Sequence, residues 1–201
     1  MKKILTAFSI LLFVIQLHAQ DINLLNRIKA VNGATKSFES DLTNTLVKTK
    51  KTTTKQGKLY FLSPKEFAAL FDEGCYMIVN EKKIKMDIGL FHGTFKLKDG
   101  GRMQSLSNIF LYGFQGRIQD LADENNYTLA TKTENGYHVV VATINKKTLI
   151  GIGYKQVMFK YHTDSLLLKE IILFDFNGNK DTYTISNAKY NVHIDKKTFQ
   201  F

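Results

Sequence analysis

The feature that most limits the possible folds of this chain is a series of short segments in which apolar and polar residues alternate. In Phe38–Leu46 the apolar residues all fall at even positions, whereas Glu39 and Asp41 fall at odd ones. A period of two is typical of strands with one buried face. Glu134-Asn135-Gly136 and Asn177-Gly178-Asn179 are hairpin-turn signals. Consecutive hairpins predict an antiparallel sheet, and no alternation of strands with helices indicates a parallel α/β fold.

The same pattern predicts further strands along the chain, and the polar segment Lys48–Gln56 is expected to turn the chain between the first two. Several strands are apolar on both faces, as at Ile171 and Ile172. A twisted sheet of roughly ten strands tends to curl, so we expect it to bury more than one face or to enclose an apolar space. The predicted strands are Phe38–Leu46, Lys58–Leu62, Tyr76–Asn80, Ile84–Ile88, Phe91–Leu97, Tyr127–Thr131, Tyr137–Ile144, Gln156–His162, Leu166–Phe176, Asp181–Asn187 and His193–Phe201.

Two segments carry a helical period instead. Apolar residues recur three or four apart between Asp21 and Gly33, and again from Met103 to Leu121. Gly113 and Gly116 interrupt the second segment, which predicts a helix-turn-helix insert. The expected fold is therefore mainly β, of the α+β class: a strongly curved antiparallel sheet or half-open β-barrel with helices covering its concave face.

The first residues predict export. Two lysines precede the apolar stretch Ile4–Leu17, and Ala19 supplies a small residue suited to cleavage. The stretch is short for a membrane span, and its order is that of a signal peptide. We therefore expect residues 1–19 to be a signal peptide and residues 20–201 to be one soluble domain in the periplasm.

The chain is basic, with a formal net charge of +10, or +8 once Lys2 and Lys3 leave with the signal peptide. Export disfavours nucleic acid as the partner of this charge, which leaves acidic lipid head groups, an acidic protein or, as the favoured interpretation, a contribution to solubility without a partner. Lysines are concentrated between Lys48 and Lys58. This basic loop is either a solvated hairpin tip or a docking contact.

No catalytic or cofactor-binding motif is recognisable. A Gly-x-Ser-x-Gly elbow is absent, and Gly151-Ile152-Gly153 lacks the third glycine of a nucleotide fingerprint. The histidines are scattered without the spacing of metal ligands. Cys75 is the single cysteine and lies beside an apolar run, so we expect a buried thiol. The sequence thus predicts a protein that is not an enzyme, with no cofactor and no metal ion.

Three stretches resemble the LolA-type periplasmic lipoprotein carriers. The first is Gly57-Lys58-Leu59-Tyr60-Phe61-Leu62-Ser63-Pro64-Lys65-Glu66-Phe67, with a Gly, alternating apolar residues, a Pro and then a Phe. The second is Asn187-Ala188-Lys189-Tyr190-Asn191-Val192-His193-Ile194-Asp195, and the third is Phe199-Gln200-Phe201. The likeness rests on the order of these stretches rather than on any one of them.

This resemblance implies a half-open barrel with a helical lid over an apolar cavity. It also implies cavity residues on the strands and the helical insert, and lid contacts at Ser63 and Pro64. LolA proteins carry an Arg where this chain has Ser63, so the charge-assisted lid contact is missing here. We expect Phe67 at the cavity mouth, where Phe67→Glu would impair transfer and leave the fold intact. The expected cavity and mouth residues are Phe38, Leu42, Leu59, Phe61, Phe67, Met77, Val79, Leu106, Phe110, Phe114, Phe159, Ile172 and Phe174.

The leading hypothesis is a monomeric periplasmic carrier that shields the acyl chains of lipoproteins between the two membranes. Its partners would be the lipoproteins, an inner-membrane transporter of the LolCDE type and an outer-membrane acceptor. One alternative is a periplasmic binder of another lipid or apolar ligand on the same fold. Another is an interaction or sensor module of the envelope, which predicts a filled core without a ligand-sized cavity.

Overall fold

The computed structural model describes residues 21–88, 91–98, 101–125, 127–144 and 154–201. The predicted signal peptide lies outside these residues. Within them, no helix combines the length and the apolar character needed to cross a bilayer. The strands are β1 Ser37–Lys48, β2 Lys51–Leu62, β3 Glu66–Phe71, β4 Tyr76–Val79, β5 Lys83–Ile88, β6 Phe91–Lys96, β7 Tyr127–Glu134, β8 Tyr137–Ile144, β9 Tyr154–His162, β10 Leu168–Asp175 and β11 Lys180–Tyr190. The helices are α1 over residues 21–33, α2 Arg102–Gln115, α3 Ile118–Asn125 and a 3-10 turn Lys196–Phe199.

The strands form one antiparallel sheet in the order β6-β5-β4-β3-β2-β1-β11-β10-β9-β8-β7. The sheet thus consists of two meanders, β1–β6 and β7–β11, that are joined where β1 pairs with β11. In the described part of the chain the sheet is not closed, and β6 and β7 are its edges. Helices α2 and α3 lie in the connection between the meanders. The predicted antiparallel, mainly β fold is confirmed.

Two strand boundaries near the N-terminus differ from the prediction. Strand β2 begins at Lys51 and pairs with β1 up to Lys48, so only two residues turn the chain and the expected loop Lys48–Gln56 is wrong. The hydrogen bonds of the two-stranded ribbon satisfy the backbone of this polar segment. Strand β3, Glu66–Phe71, was not predicted, because Phe-Ala-Ala-Leu-Phe is apolar on both faces and shows no alternation.

The C-terminal residues form the 3-10 turn rather than the predicted strand His193–Phe201. Asp195 caps this turn by accepting a hydrogen bond from the backbone N–H of Lys197. Ile194 and Phe199 pack with Ala68 of β3 on the outer face of the sheet. The expectation that the sheet buries more than one face is confirmed here, because the tail covers the outer side of β2–β4.

The backbone conformation explains the two asparagines in the stretch Asn187–Asp195, which resembles the LolA-type carriers. Asn187 and Asn191 adopt positive φ angles of 51° and 56°, a conformation that asparagine tolerates better than most side chains. The side chain of Asn191 accepts a hydrogen bond from the backbone N–H of Lys36 at 2.9 Å, and its own backbone N–H donates to the carbonyl of Ser37 at 2.7 Å. Asn191 therefore fastens the end of β11 to the start of β1.

The predicted helix-turn-helix insert is confirmed. Gly116 ends α2 with a φ of 67°, the left-handed conformation that glycine adopts at helix ends. A Cβ at Gly116 would lie 2.6 Å from the carbonyl oxygen of Ile28, so α1 and the α2–α3 junction touch through backbone. At Gly113 a Cβ would lie 2.9 Å from the Phe159 ring and 3.1 Å from Ile171. Because Gly113 has no side chain, α2 can approach β9 and β10 closely.

Candidate apolar binding site

Aromatic rings from α2 and from three neighbouring strands meet on one face of the sheet, called the inner face. It lies opposite the face that the C-terminal tail covers. The ring of Phe114 lies 5.4 Å from that of Phe38 on β1, 5.4 Å from that of Phe61 on β2 and 5.6 Å from that of Phe67 on β3. Phe110, one turn earlier in α2, lies 5.4 Å from Phe67. These centroid distances are those of rings in contact, so α2 packs on the face of these strands through two phenylalanines.

The remaining free space at this site is small. A cavity of about 10 Å³ lies between the α2 phenylalanines and the strands, which is about the room needed for one water molecule. At this site, and among the residues that the structure describes, the unfilled apolar hollow expected from the sequence is therefore not present, since side chains of α2 fill the space. The lining residues are Leu42, Leu59, Phe67, Ala69, Met77, Phe110, Phe114, Ile171, Tyr183 and Ile185.

Most of the residues expected from the sequence come together in this one core. Leu106 is half-buried at its margin. The buried members of the expected set are Phe38, Leu42, Leu59, Phe61, Phe67, Met77, Val79, Phe110, Phe114 and Phe159. The structure thus groups the predicted side chains around α2, although whether they bind a ligand stays a prediction.

Two of the expected residues lie on the other face. In β10, Ile171 pairs with Phe159 and Tyr183 and belongs to the inner core, together with Leu173. Because side chains alternate along a strand, Ile172 and Phe174 point to the opposite side of the sheet. Placing them in the cavity was wrong, and their neighbours Ile171 and Leu173 were missed because the run is apolar at every position.

Phe67 is not at a mouth. Its side chain is 0% exposed and lies against the rings of both α2 phenylalanines. An unpaired carboxylate at this position would be buried among apolar groups at a cost of several kcal/mol. The expectation that Phe67→Glu leaves the fold intact is therefore wrong.

Two hydrogen bonds connect α2 to the residues of the sheet and its turns at this site. The side-chain amide of Gln115 donates to the carbonyl of Pro64 at 2.7 Å. The hydroxyl of Tyr161, which is fully buried in β9, donates to the carbonyl of Gly113 at 3.0 Å. Burial raises the pKa of Tyr161 above its ordinary value, which keeps the hydroxyl protonated as a donor. Both contacts are neutral, and both are made by the C-terminal part of α2.

A polar group borders the apolar core on its inner face. The carboxylate of Asp181 in β11 accepts hydrogen bonds from Asn44 at 2.5 Å and from the hydroxyl of Tyr183 at 3.0 Å. Burial raises the pKa of Asp181, and the two hydrogen bonds act in the opposite direction. Tyr183 also touches Phe110, with 5.0 Å between ring centroids. The sequence pattern contained no signal for this group, because each member alone reads as an ordinary strand residue.

The other side of α2 borders a larger, polar cleft of about 570 Å³. Within it, Asn108 and Tyr112 of α2 donate to the carboxylate of Glu124 in α3 at 3.1 and 2.6 Å. Burial, followed by the bond to Glu124, raises the pKa of Tyr112 to about 12. The two helices are therefore tied to each other by polar contacts and contact the sheet mainly through apolar ones.

The described residues contain no group of three or more His, Cys, Asp or Glu side chains placed to hold a metal ion. Cys75 is half-buried rather than buried, because its sulfur faces the amino group of Lys55 at 2.8 Å. The expected absence of catalytic residues stays a prediction.

No protein-family profile matches the sequence, and no curated protein matches it. Solved structures do match. An uncharacterized conserved protein from Thermus thermophilus has a TM-score of 0.51 at 9% identity, covering 90% of this chain and 93% of its own. A putative outer membrane lipoprotein-sorting protein domain from Vibrio parahaemolyticus has 0.49 at 10%, covering 89% and 95%. A LolA superfamily protein from Nitrosomonas europaea has 0.45 at 9%, covering 89% and 96%.

The chain shares the fold of the Thermus thermophilus protein, and a LolA superfamily protein is among the matching structures. The resemblance drawn from the sequence is confirmed to that extent, and identities this low concern the fold alone. At the expected lid contact, the Pro64 carbonyl accepts a hydrogen bond from the side chain of Gln115 in α2, whereas the role of α2 as a lid stays a prediction. Ser63 donates its backbone N–H to the carbonyl of Lys36 at 2.8 Å. The hydrogen bond between α2 and this turn is therefore neutral, and Pro64 rather than Ser63 makes it.

Proposed function

We propose that this protein carries the acyl chains of lipoproteins, and that α2 is the lid which the cargo displaces. The observation that supports this function is the insertion of Phe110 and Phe114 between aromatic strand residues. The two rings occupy the place on the inner face where acyl chains would lie. Apolar contacts without direction can be exchanged for others of the same kind, as a carrier requires.

The energies favour such an exchange. Each neutral hydrogen bond that ties α2 to Pro64 and Tyr161 contributes about 0.5–1.5 kcal/mol. Each aromatic pair adds a similar amount beyond its buried area. Burial of about a dozen CH₂ groups of an acyl chain returns about 10 kcal/mol. The two rings themselves contribute about 3–5 kcal/mol each when buried, so one acyl chain offsets about what α2 loses, whereas water offsets none of it.

Transport between membranes is the finer part of the proposal. Free acyl chains do not cross an aqueous gap, because each exposed CH₂ costs about 0.8 kcal/mol. A periplasmic carrier would receive its cargo from an inner-membrane transporter of the LolCDE type and pass it to an outer-membrane acceptor. The likeness in sequence order and in fold supports this role. The process needs no chemical step, so we propose that the protein is not an enzyme.

Photocrosslinking in the native envelope tests the carrier role. A photoreactive phenylalanine at Phe110 is expected to crosslink lipoproteins, because Phe110 lies in the proposed acyl site. The same residue at Phe199 is the matched control, since Phe199 is equally buried but lies on the outer face under the C-terminal tail. Equal crosslinking at both positions, or none at Phe110, would contradict the carrier role.

Native mass spectrometry of protein isolated from its own envelope separates the candidate cargoes. A bound lipoprotein supports the carrier, and a bound free lipid supports a binder of another apolar ligand on the same fold. The filled interior, with only about 10 Å³ of free space, favours a second candidate. An envelope interaction or sensor module needs no ligand cavity, and it predicts protein without lipid in the same experiment.

A further inference from the structure

We propose that one end of the sheet docks on the surface of an anionic phospholipid bilayer. This end, called the basic hairpin end, consists of the β1–β2 tip Val47–Lys51 and the β10–β11 turn Phe176–Lys180. The inference does not depend on the cargo of the apolar site. It rests on the position, exposure and charge of these two turns.

Strand register brings the two turns together. Val47 near the end of β1 pairs with Lys180 at the start of β11, so the β1–β2 tip lies beside the β10–β11 turn. Lys48 pairs with Lys51 across the tip. On its other side β2 pairs with β3 only from Gly57 onward. At about 3.3 Å per residue, the unpaired part of β2 carries the tip roughly 20 Å past the end of β3.

The basic hairpin end exposes apolar side chains next to lysines. Phe176 is 52% exposed and Val47 is 40% exposed, and both belong to the few large apolar residues that face solvent in the described residues. Lys48, Lys50 and Lys51 are exposed as well. Within the described stretches, no ion pair involves any of these three lysines.

The nearby carboxylates are already engaged. Asp175 accepts hydrogen bonds from the backbone N–H groups of Asn177 and Asn179, each at 2.8 Å, and so holds the β10–β11 turn. Asp181 is bonded to Asn44 and Tyr183 on the inner face. Neither carboxylate forms an ion pair with Lys48, Lys50 or Lys51 in the described part of the chain, so these three lysines face an external partner.

The partner that fits is an anionic membrane surface. Each lysine near such a surface strengthens binding about fivefold, and an exposed aromatic ring enters the interface beside it. An acidic protein is the weaker fit, because a stable protein interface needs about 800 Å² of complementary surface on each side. The two turns comprise ten residues, against roughly 20–30 on each side of such an interface, whereas a bilayer requires no matching shape.

Vesicle flotation tests the proposal with the chain from residue 20 to residue 201. Wild-type protein is expected to float with vesicles of phosphatidylcholine and phosphatidylglycerol, and not with phosphatidylcholine alone. Replacing Lys48, Lys50 and Lys51 together by Gln should weaken the binding about a hundredfold, from three losses of about fivefold. Phe176→Ser should weaken it without any change of charge, and the Phe176 contribution should persist at high salt.

A second triple variant controls for net charge. Lys82→Gln, Lys83→Gln and Lys196→Gln remove the same three charges from exposed positions away from the tip. This variant is expected to bind nearly as well as wild type. Equal weakening by the two triple variants would overturn the proposal, since it would mean attraction by net charge alone. Absence of flotation for wild type would also overturn it and would leave an acidic protein as the partner of this end.

Discussion

Truncation of Phe114 provides the sharpest test of the idea that α2 fills a lipid site with its own rings. Phe114 is 3% exposed, and its ring contacts the rings of Phe38, Phe61 and Phe67. Phe→Ala at a buried position costs about 3–5 kcal/mol. For a domain of this size that lowers Tm by roughly 6–20 °C. The variant should also gain a ring-sized cavity that adjoins the existing space of about 10 Å³.

Binding of an apolar fluorescent fatty acid tests whether the weakened contacts of α2 open the site. Removal of the ring lowers the cost of displacing α2, so Phe114→Ala should bind the probe more tightly than wild type despite its lower stability. The assay is a fluorescence titration below the Tm of the variant, with Tm measured by calorimetry. The matched control is Phe199→Ala, because Phe199 is 1% exposed but packs on the outer face.

The control separates loss of stability from gain of a site. Phe199→Ala should lose a comparable amount of stability and bind the probe no better than wild type. If Phe114→Ala and Phe199→Ala bind the probe equally, the gain comes from general loosening of the fold. In that case Phe114 is an ordinary core residue, and the argument for α2 as a lid fails.

Three further predictions follow from the same site. Phe67→Glu should abolish the folded state, because it buries an unpaired carboxylate; a native near-UV circular dichroism spectrum would contradict this. Gln115→Ala removes the donor to the Pro64 carbonyl. The loss should lower the free energy of unfolding by about 1 kcal/mol and accelerate hydrogen exchange in α2. Unchanged exchange would show that this hydrogen bond does not hold α2 in place. Burial raises the folded-state pKa of Asp181 above its ordinary 3.8, so its contribution to stability is lost as pH rises through the raised value. Asp181→Asn should remove that slope in urea denaturation as the pH rises above the ordinary pKa of 3.8, and an unchanged slope would exclude Asp181 as its cause.

The sequence predicts the parts of the fold whose periodicity is unambiguous. Alternation from Phe38 to Leu46 and the Asn-Gly turn at residue 135 led to correct strands and hairpins. The glycine at position 116 marked the break between α2 and α3. Two segments were not predicted correctly. Strand β3 is apolar on both faces, and the C-terminal tail forms a 3-10 turn whose Phe199 packs with Ala68 on the outer face.

The sequence predicts most of the residues of the candidate site, but it does not predict on which face each lies or how completely they fill the space. Ten expected side chains meet in one core because they are apolar and lie on strands or on one face of α2. The assignment of Ile172 and Phe174 failed because a run that is apolar at every position does not reveal which face is inward. The degree of filling was not predictable either, since it depends on how closely Gly113 lets α2 approach Phe159.

The contacts of α2 are unevenly distributed along its length. Its last turn is fixed by the Gln115 amide, the Gly113 carbonyl and the backbone contact of Gly116 with Ile28. Its first residue follows Gly101, which supplies no side-chain cap. In the proposed carrier, outward rotation of α2 would therefore begin at its Arg102 end, and the contacts of the last turn would break last. A guest chain advancing from the Arg102 end would separate Leu106 from the sheet first and reach Phe114 last, so the depth of entry would set how far the helix moves.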